Sequence, residues 1–440
     1  MLDQKFYLSR IELHNFRLFD SSAVNFNPGI NVIVGENGYG KTTLLDAIAS
    51  GIGGSPFTDY TKPLKSYNKI DVKIRRITER DIKRDKTGHL NYQADLFLSF
   101  LRGNNYLDIH RSRISRKEFF SDNSISQLFA RGMSASAIQE NSKLELPLFA
   151  FYGTGRLYLK RFSRGKLDDN KIRFGDRLSA YDGCLEPSSN EQFLKTWFSP
   201  EKLRYLSHSR SEHLFQELLS ILQESIPGKP KVSVSKDKKE MLFQFSNSES
   251  SLSFDFLSDG QKAMIAMIAD ISIRCLILNR NSFANEVIKN TSGVVLIDEI
   301  DLHIHPKWQR EIIDNLKNAF PRLQFIITTH SPFVIQSLED GELVRLNSNS
   351  PNGKYVNQSL EDIVEEIQGV ENPQWSKKRE EMFDTALNVF KQMKESKNLT
   401  ENQKNNLKNK ILSSINPYSD NMAYCAFIKL KMIENGLNIE

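Results

Sequence analysis

Gly35-Glu-Asn-Gly-Tyr-Gly-Lys-Thr42 is the stretch on which the fold turns. It has the spacing G-x-x-x-x-G-K-[ST] and lies between a short apolar run, Ile30-Asn-Val-Ile-Val34, and a segment, Thr42 to Ile52, with Leu44, Leu45 and Ile48 at helical spacing. Strand, glycine loop and helix are the context that the spacing requires. Glycines let successive backbone N–H groups turn inward around phosphates, and the following helix presents its positive end to the same charge. Gly35, Asn37, Gly38 and Gly40 are therefore expected to wrap the phosphates of ATP. Lys41 is expected to reach the β- and γ-phosphates, and Thr42, with Thr43 beside it, to set its hydroxyl on Mg²⁺.

Two further apolar strands are expected at Gly293-Val-Val-Leu-Ile297 and Gln324-Phe-Ile-Ile-Thr328, with a helix from Pro306 to Phe320 between them. The first runs into paired acids, Leu296-Ile-Asp-Glu-Ile-Asp301. Asp298 at the strand end suits Mg²⁺ held through water, and Glu299, one residue on, suits a general base that polarises attacking water. His330 closes the other strand, where a neutral imidazole can bond the γ-phosphate and sense its loss; a structural histidine is the plain alternative. Upstream, Leu257-Ser-Asp-Gly-Gln261 opens an apolar helix. Ser258, the Gly260 backbone and Gln261 form a second anion-facing surface at its N-terminus, unless Ser258 is simply a helix cap. One nucleotide needs no second phosphate surface in the same chain. Two such surfaces suggest that each ATP is shared between copies, in a homodimer or a higher even oligomer.

The bulk properties fit this reading. The chain has 440 residues, 39% hydrophobic and 26% charged, with a net charge of +5. No apolar run approaches the roughly 20 residues of a membrane span, and Met1 to Arg10 has no apolar signal core, so a cytoplasmic protein without membrane partners is expected. Cys184, Cys275 and Cys425 are isolated and expected to be free thiols. Basic residues cluster at Lys73, Arg75, Arg76, Arg80, Lys83 and Arg84, at His110, Arg111, Arg113, Arg116 and Lys117, and at Arg156, Lys160, Arg161, Arg164 and Lys166. Solvated faces or a nucleic-acid surface would each produce such clusters. Strands are also expected at Phe6–Leu13, Ala23–Phe26, Ala94–Phe100, Leu146–Tyr152 and Met241–Phe245, and helix over 190–226. Past a loop at Asn347–Gly353, residues 376–396 carry Phe383, Ala386, Leu387, Phe390 and Met393 at helical spacing, the pattern of a core-facing stripe. Thr400 with Gln403 opens another helix through a capping box.

The four chemical elements, in this order, resemble the heads of ABC ATPases: Walker A, signature, Walker B and switch histidine. Asn15-Phe-Arg17 and Asp298-Glu-Ile-Asp-Leu-His-Ile-His-Pro306 resemble more narrowly the SMC/RecF/OLD-like branch, over residues 1 to 340. The resemblance implies an α/β fold: a mixed sheet with a P-loop core, a helical signature lobe, and a small helical C-terminal appendage. The implied domains are an ATPase at 1–345, with a helical and basic lobe inserted over about 100–257, and a helical region at 346–440. It places Asp301 in the D-loop, which crosses the dimer interface, and lets Arg17 reach the phosphates, with a surface or structural arginine as the alternative. His303 and His305 then serve architecture rather than a metal. The glutamine that usually bridges Mg²⁺ to the helical lobe is not evident. Gln93 is one candidate, and the Tyr152–Arg156 loop is another. Phe149-Ala-Phe-Tyr-Gly-Thr-Gly-Arg-Leu157 and the helical tail resemble the ATPase subunits of Septu-type and retron-linked antiphage systems. About 100 residues follow His330, short of a Toprim nuclease domain plus that tail. Cleavage is thus expected from a separate effector, an HNH nuclease, with a reverse transcriptase and its RNA–DNA product in a retron version. A DNA-repair clamp of the RecF or SMC type is the alternative.

Overall fold

In the computed structural model, residues 5–53, 77–122, 143–157, 177–181, 183–186, 212–235, 240–245, 250–283, 285–346, 355, 356, 358–395 and 400–437 are described. They fall into two compact units, Met1–Ile363 and Val364–Glu440.

Alternation builds the first sheet. In β1 (Phe6–Phe16), Phe6, Leu8, Ile11, Leu13 and Phe16 are buried, and a register slip between Leu8 and Arg10 keeps the apolar set on one face. β1 pairs antiparallel with β2 (Phe19–Asn25) and with β4 (Ala94–Arg102), which carries on through β5 (Asn105–Arg113) to β6 (Phe119–Asp122). The second sheet is parallel throughout, in the order β13 (Leu343–Arg345), β3 (Ile30–Val34), β12 (Leu323–Thr328), β11 (Gly293–Ile297), β7 (Leu148–Tyr152). Its four longer strands, β3, β12, β11 and β7, are buried at every residue, hence their largely apolar runs. The mixed strand content expected from sequence is thus segregated into two sheets. Gln324 on β12, fully buried, staples them: its amide donates to the Leu8 and Asn27 carbonyls (2.8 and 2.7 Å), and its oxygen accepts from Leu8 N–H. A small sheet of β8 (Lys231–Val234), β9 (Met241–Gln244) and β10 (Leu252–Ser253) completes the strands described.

Four helices of the first unit matter for the site: α1 (Lys41–Gly53), α2 (Glu212–Ser225), α3 (Asp259–Asn279) and α4 (Ile312–Ala319). α3 is apolar on all sides and is buried nearly throughout from Met264 to Asn279. Its interior charges are paired: Arg274 grips Asp270 (3.0 Å), Tyr152 donates its hydroxyl to Asp270 (2.7 Å), and Arg274 also reaches the Ala180 carbonyl. The helix expected from Pro306 to Phe320 is interrupted. A single turn, Pro306–Gln309, is followed by an i−3 bond from Glu311 N–H to the Trp308 carbonyl, and α4 begins only at Ile312.

In the second unit, α5 (Lys377–Glu395), α6 (Glu401–Ile415) and α7 (Met422–Glu434) enclose a small core of Ala386, Val389, Met393, Ile411, Ile415, Ile428, Met432 and Leu437. The capping box of Thr400 and Gln403 is formed. The expected core stripe is only partly inward: Phe383 and Leu387 are about half exposed, while Val389 takes the buried place between Ala386 and Met393. The basic residues at 73–76 and 160–166, the loop at 347–353 and residues 190–211 of the helix expected over 190–226 lie outside the described residues. No helix among the described residues is long and apolar enough to cross a membrane.

Candidate nucleotide-binding and hydrolysis site

Parallel strands end on one edge, and the chemistry collects there. The glycine loop leaves β3 and enters α1. Gly38 and Gly40 take left-handed φ values of +87° and +93°. A side chain at Gly40 would also meet the Phe19 ring at 2.7 Å, so this corner excludes a Cβ twice over. Lys41 is buried and donates to the Gly35 and Glu36 carbonyls (2.6 and 3.0 Å). Burial lowers its pKa, and the charges of Asp298 and Glu299 oppose that shift. Thr43 is buried, whereas Thr42, Asn37 and Gly38 are exposed at the loop surface.

Thr42 Oγ1 lies 3.2 and 3.0 Å from the two Asp298 carboxylate oxygens, across 256 residues of sequence. A hydroxyl and a carboxylate brought together beside a buried ammonium are a hard, oxygen-only donor set, and it fits Mg²⁺. Asp298 is itself held: its N–H donates to the Tyr152 carbonyl (2.8 Å), and Thr328 Oγ1 donates to its Oδ1 (2.6 Å). Thr328 was not anticipated from sequence. Its hydroxyl also accepts the Glu299 N–H (2.8 Å), so one buried side chain orients both acids. Glu299 needs that support, since its φ of +49° is left-handed, a conformation that disfavours L-residues by about 1–2 kcal/mol. The available signal was positional: a polar residue ending an apolar strand beside the one that carries the acids.

Asp301 accepts from Thr329 Oγ1 (2.5 Å) and from His330 N–H (3.4 Å), so the loop after the acids is tied to the exposed His330. Residues 301–304 form a turn closed by Ile304 N–H on the Asp301 carbonyl, with His303 left-handed at φ +60°. His305 caps the next turn, its Nδ1 accepting from Lys307 N–H (3.2 Å). These are architectural roles for both histidines.

Ser258 forms the N-cap of α3, in a full capping box with Gln261. Ser258 and Asp259 are exposed, while Gly260 is buried flush against the D-loop turn: a Cβ there would stand 2.1 Å from the His303 carbonyl oxygen. The structure thus brings Lys41, Thr42, Asp298 and Glu299 together. Gly260 meets the turn at 303 instead, and Ser258 and Gln261 bond each other beside it.

Arg17 is held by two carboxylates, as its structural alternative would have it. Its guanidinium is clasped by Asp81 (2.9 and 2.6 Å) and by Asp46 (2.5 Å), one helical turn down α1 from Thr42. Burial opposes its charge, but the two carboxylates outweigh that and raise its pKa. Gln93 is exposed and left-handed just before β4, where it donates to the Arg113 carbonyl. The loop after Tyr152, by contrast, starts directly beside Asp298. The second basic cluster is divided: Arg111 and Arg113 are buried and His110 pairs with Asp95 (2.9 Å), while Arg116 and Lys117 are exposed. Beside the glycine loop, a cleft of about 430 Å³ is lined by Leu18, Phe19, Asp20, Asn37 and Tyr39, with Ser21 and Ser22 at its rim.

A family model described as an AAA domain matches residues 10–226, and a second, described as "AAA domain, putative AbiEii toxin, Type IV TA system", matches 137–336. The chain is 27% identical over 395 residues to a Vibrio cholerae protein named Retron Vc95 probable ATPase, covering 78% of this chain and 74% of that one. It is 27% identical to the Septu protein PtuA of Bacillus mycoides over 80% of its own length, but spans only 42% of that protein. PtuA of Bacillus thuringiensis is 26% identical, with 86% of this chain and 87% of that one covered. Similarity to the DNA replication and repair protein RecF of Psychromonas ingrahamii is higher, 58%, but over 41 residues.

Proposed function

We propose that the chain is an ABC-type ATPase of the SMC/RecF/OLD-like branch, similar to Septu and retron ATPases, which binds and hydrolyses ATP between two copies of itself and thereby controls a nuclease effector in antiphage defence. The observation that carries the proposal is the Thr42–Asp298 contact at 3.0 Å, with Lys41 and Glu299 beside it. Lys41 binds the β- and γ-phosphates, and Thr42 with Asp298 holds Mg²⁺, which when bound screens the phosphate charge. Glu299, aimed by Thr328, takes the proton of the attacking water. His330 faces the γ-phosphate, and Asp301 positions it through the backbone. Ser258 and the N-terminus of α3 meet the γ-phosphate of the nucleotide in the other copy.

Two features support pairing. The Ser258 loop is exposed, and its hydrogen bonds are made to Gln261 of its own cap rather than to the glycine loop. The Septu and retron relatives supply the biological setting, and an HNH nuclease, with a reverse transcriptase in a retron version, is the partner class that setting implies. The RecF-like clamp has shorter stretches of similarity behind it, 9% to 19% of the chain.

The test is to purify the chain with its genomic neighbours, with and without ATP and Mg²⁺, in wild-type and Glu299→Gln forms, and to identify what accompanies it. A stoichiometric nuclease retained by Glu299→Gln is the expected result. A homo-oligomer carrying DNA alone, with DNA-stimulated ATPase activity, would replace the defence reading with the clamp.

A further inference from the structure

Gln309 belongs to none of the motifs, yet three hydrogen bonds converge on its side chain. Its Nε2 donates to the Asp301 carbonyl (3.2 Å) and to the Ile304 carbonyl (2.8 Å), the two ends of the D-loop turn. Its Oε1 accepts from Ser331 Oγ (2.7 Å), the residue directly after His330. The same turn is joined to the sensor loop a second time, through Asp301, Thr329 and the His330 N–H.

Between the pinned ends lies His303, whose left-handed backbone directs its carbonyl oxygen at Gly260. A left-handed non-glycine residue persists only where its surroundings hold it. Gln309 is placed to do that, since one planar amide fixes both flanking carbonyls at once. Gly260, with no side chain, rests on the His303 carbonyl, so any shift of the turn reaches Ser258 two residues away.

We propose that Gln309 is a positioning residue that locks the D-loop turn to the γ-phosphate-sensing loop, and so couples the nucleotide state read by His330 to the signature surface of the same chain. This rests on the two-copy reading above: the signature surface serves the other copy's ATP, so the lock makes the two ATP sites of a pair dependent on each other. When His330 moves on gain or loss of a γ-phosphate, Ser331 moves with it and pulls on Gln309. The turn then advances or withdraws Gly260 and Ser258. No proton or electron transfer is involved.

The experiment uses the full chain. ATP-dependent pairing of the wild type and of Glu299→Gln is measured first, by sedimentation. Gln309→Met, which keeps the side-chain length and removes all three bonds, is then compared with the wild type in ATP affinity, melting temperature and the ATP dependence of hydrolysis. The expected result is unchanged monomer affinity within about twofold, a kcat lower by roughly tenfold, and a Hill coefficient falling from near 2 to near 1. Gln309→Glu is expected to do the same, because its carboxylate faces two carbonyls and donates to neither. A uniform loss of affinity, kcat and melting temperature with cooperativity intact would mark Gln309 as merely structural and overturn the proposal. Absence of pairing in wild type and Glu299→Gln alike would overturn the two-copy reading beneath it.

Discussion

Two loops in this chain offer a phosphate the N-terminus of a helix, and they are built in opposite ways. The glycine loop is anchored in its own protomer: Lys41 is buried, Gly40 is pressed under Phe19, and Thr42 meets an aspartate from the neighbouring region of the sheet. The signature loop closes on itself: Ser258 bonds Gln261, leaving an exposed cap whose Gly260 rests on the turn at His303. The first loop is joined to the acids that complete it. The second presents an anion surface to solvent and packs its back against a turn that reports on His330. This contrast is what a shared site requires: one half is assembled at home, and the other half is presented outward.

The largest test of the contrast lies in the home half. Glu299→Gln should retain ATP with near-wild-type affinity while kcat falls by roughly a hundredfold or more, the range for loss of a general base. Hydrolysis at the wild-type rate would remove Glu299 from that role. Next in size is Ser258→Arg. In the Glu299→Gln background it should weaken ATP-dependent pairing by roughly tenfold or more through bulk and charge at the presented surface, while ATP affinity of the single chain stays within about twofold. If single-chain affinity fell as far as pairing did, the two loops would serve one nucleotide in cis and the contrast would collapse. Thr328→Val comes third. It keeps the shape of the side chain but removes the hydroxyl between Asp298 and the Glu299 amide, and the lost orientation should lower kcat by about tenfold, equivalent to roughly 1.4 kcal/mol. Thr328→Ser should restore most of it, and failure of that rescue would mean that the methyl group, not the hydroxyl, matters.

The home half was legible in the sequence because each of its residues has a chemical signature of its own. Glycines before Lys41, paired acids after an apolar run and a strand-terminal histidine stand out without any contact being known. The residues that aim these groups do not stand out. Thr328 and Gln309 have ordinary identities, and their meaning lies in partners 29 and 8 residues away for Thr328–Glu299 and Gln309–Asp301. Arg17 has two readings that its sequence context does not separate. A cation near the glycine loop is easily assigned to phosphates, but the carboxylates of Asp46 and Asp81 already hold it. The basic cluster at 110–117 is ambiguous in the same way, since strand alternation turns Arg111 and Arg113 inward. In the C-terminal unit the helical period marked a stripe correctly but not its phase. Three short helices enclose too little volume to bury both Phe383 and Val389, and the structure places Val389 inside.

One residue joins the two halves physically, and it gives the smallest and sharpest test. The Tyr152 carbonyl accepts the Asp298 N–H, while its hydroxyl reaches Asp270 on the signature helix α3. Burial, reinforced by the charge of Asp270, raises the tyrosine's pKa well above its usual value, so the hydroxyl remains a donor at neutral pH. Tyr152→Phe removes that donor and leaves Asp270 paired with Arg274. If the connection is only packing, the variant loses about 1 kcal/mol of stability and kcat stays within about twofold, because the backbone bond to Asp298 is untouched. A tenfold loss of kcat at unchanged stability would instead show that the signature helix steers the acids from within its own chain. The two loops would then be halves of one linked machine in each copy, and the separation drawn between them would have to be redrawn around Tyr152.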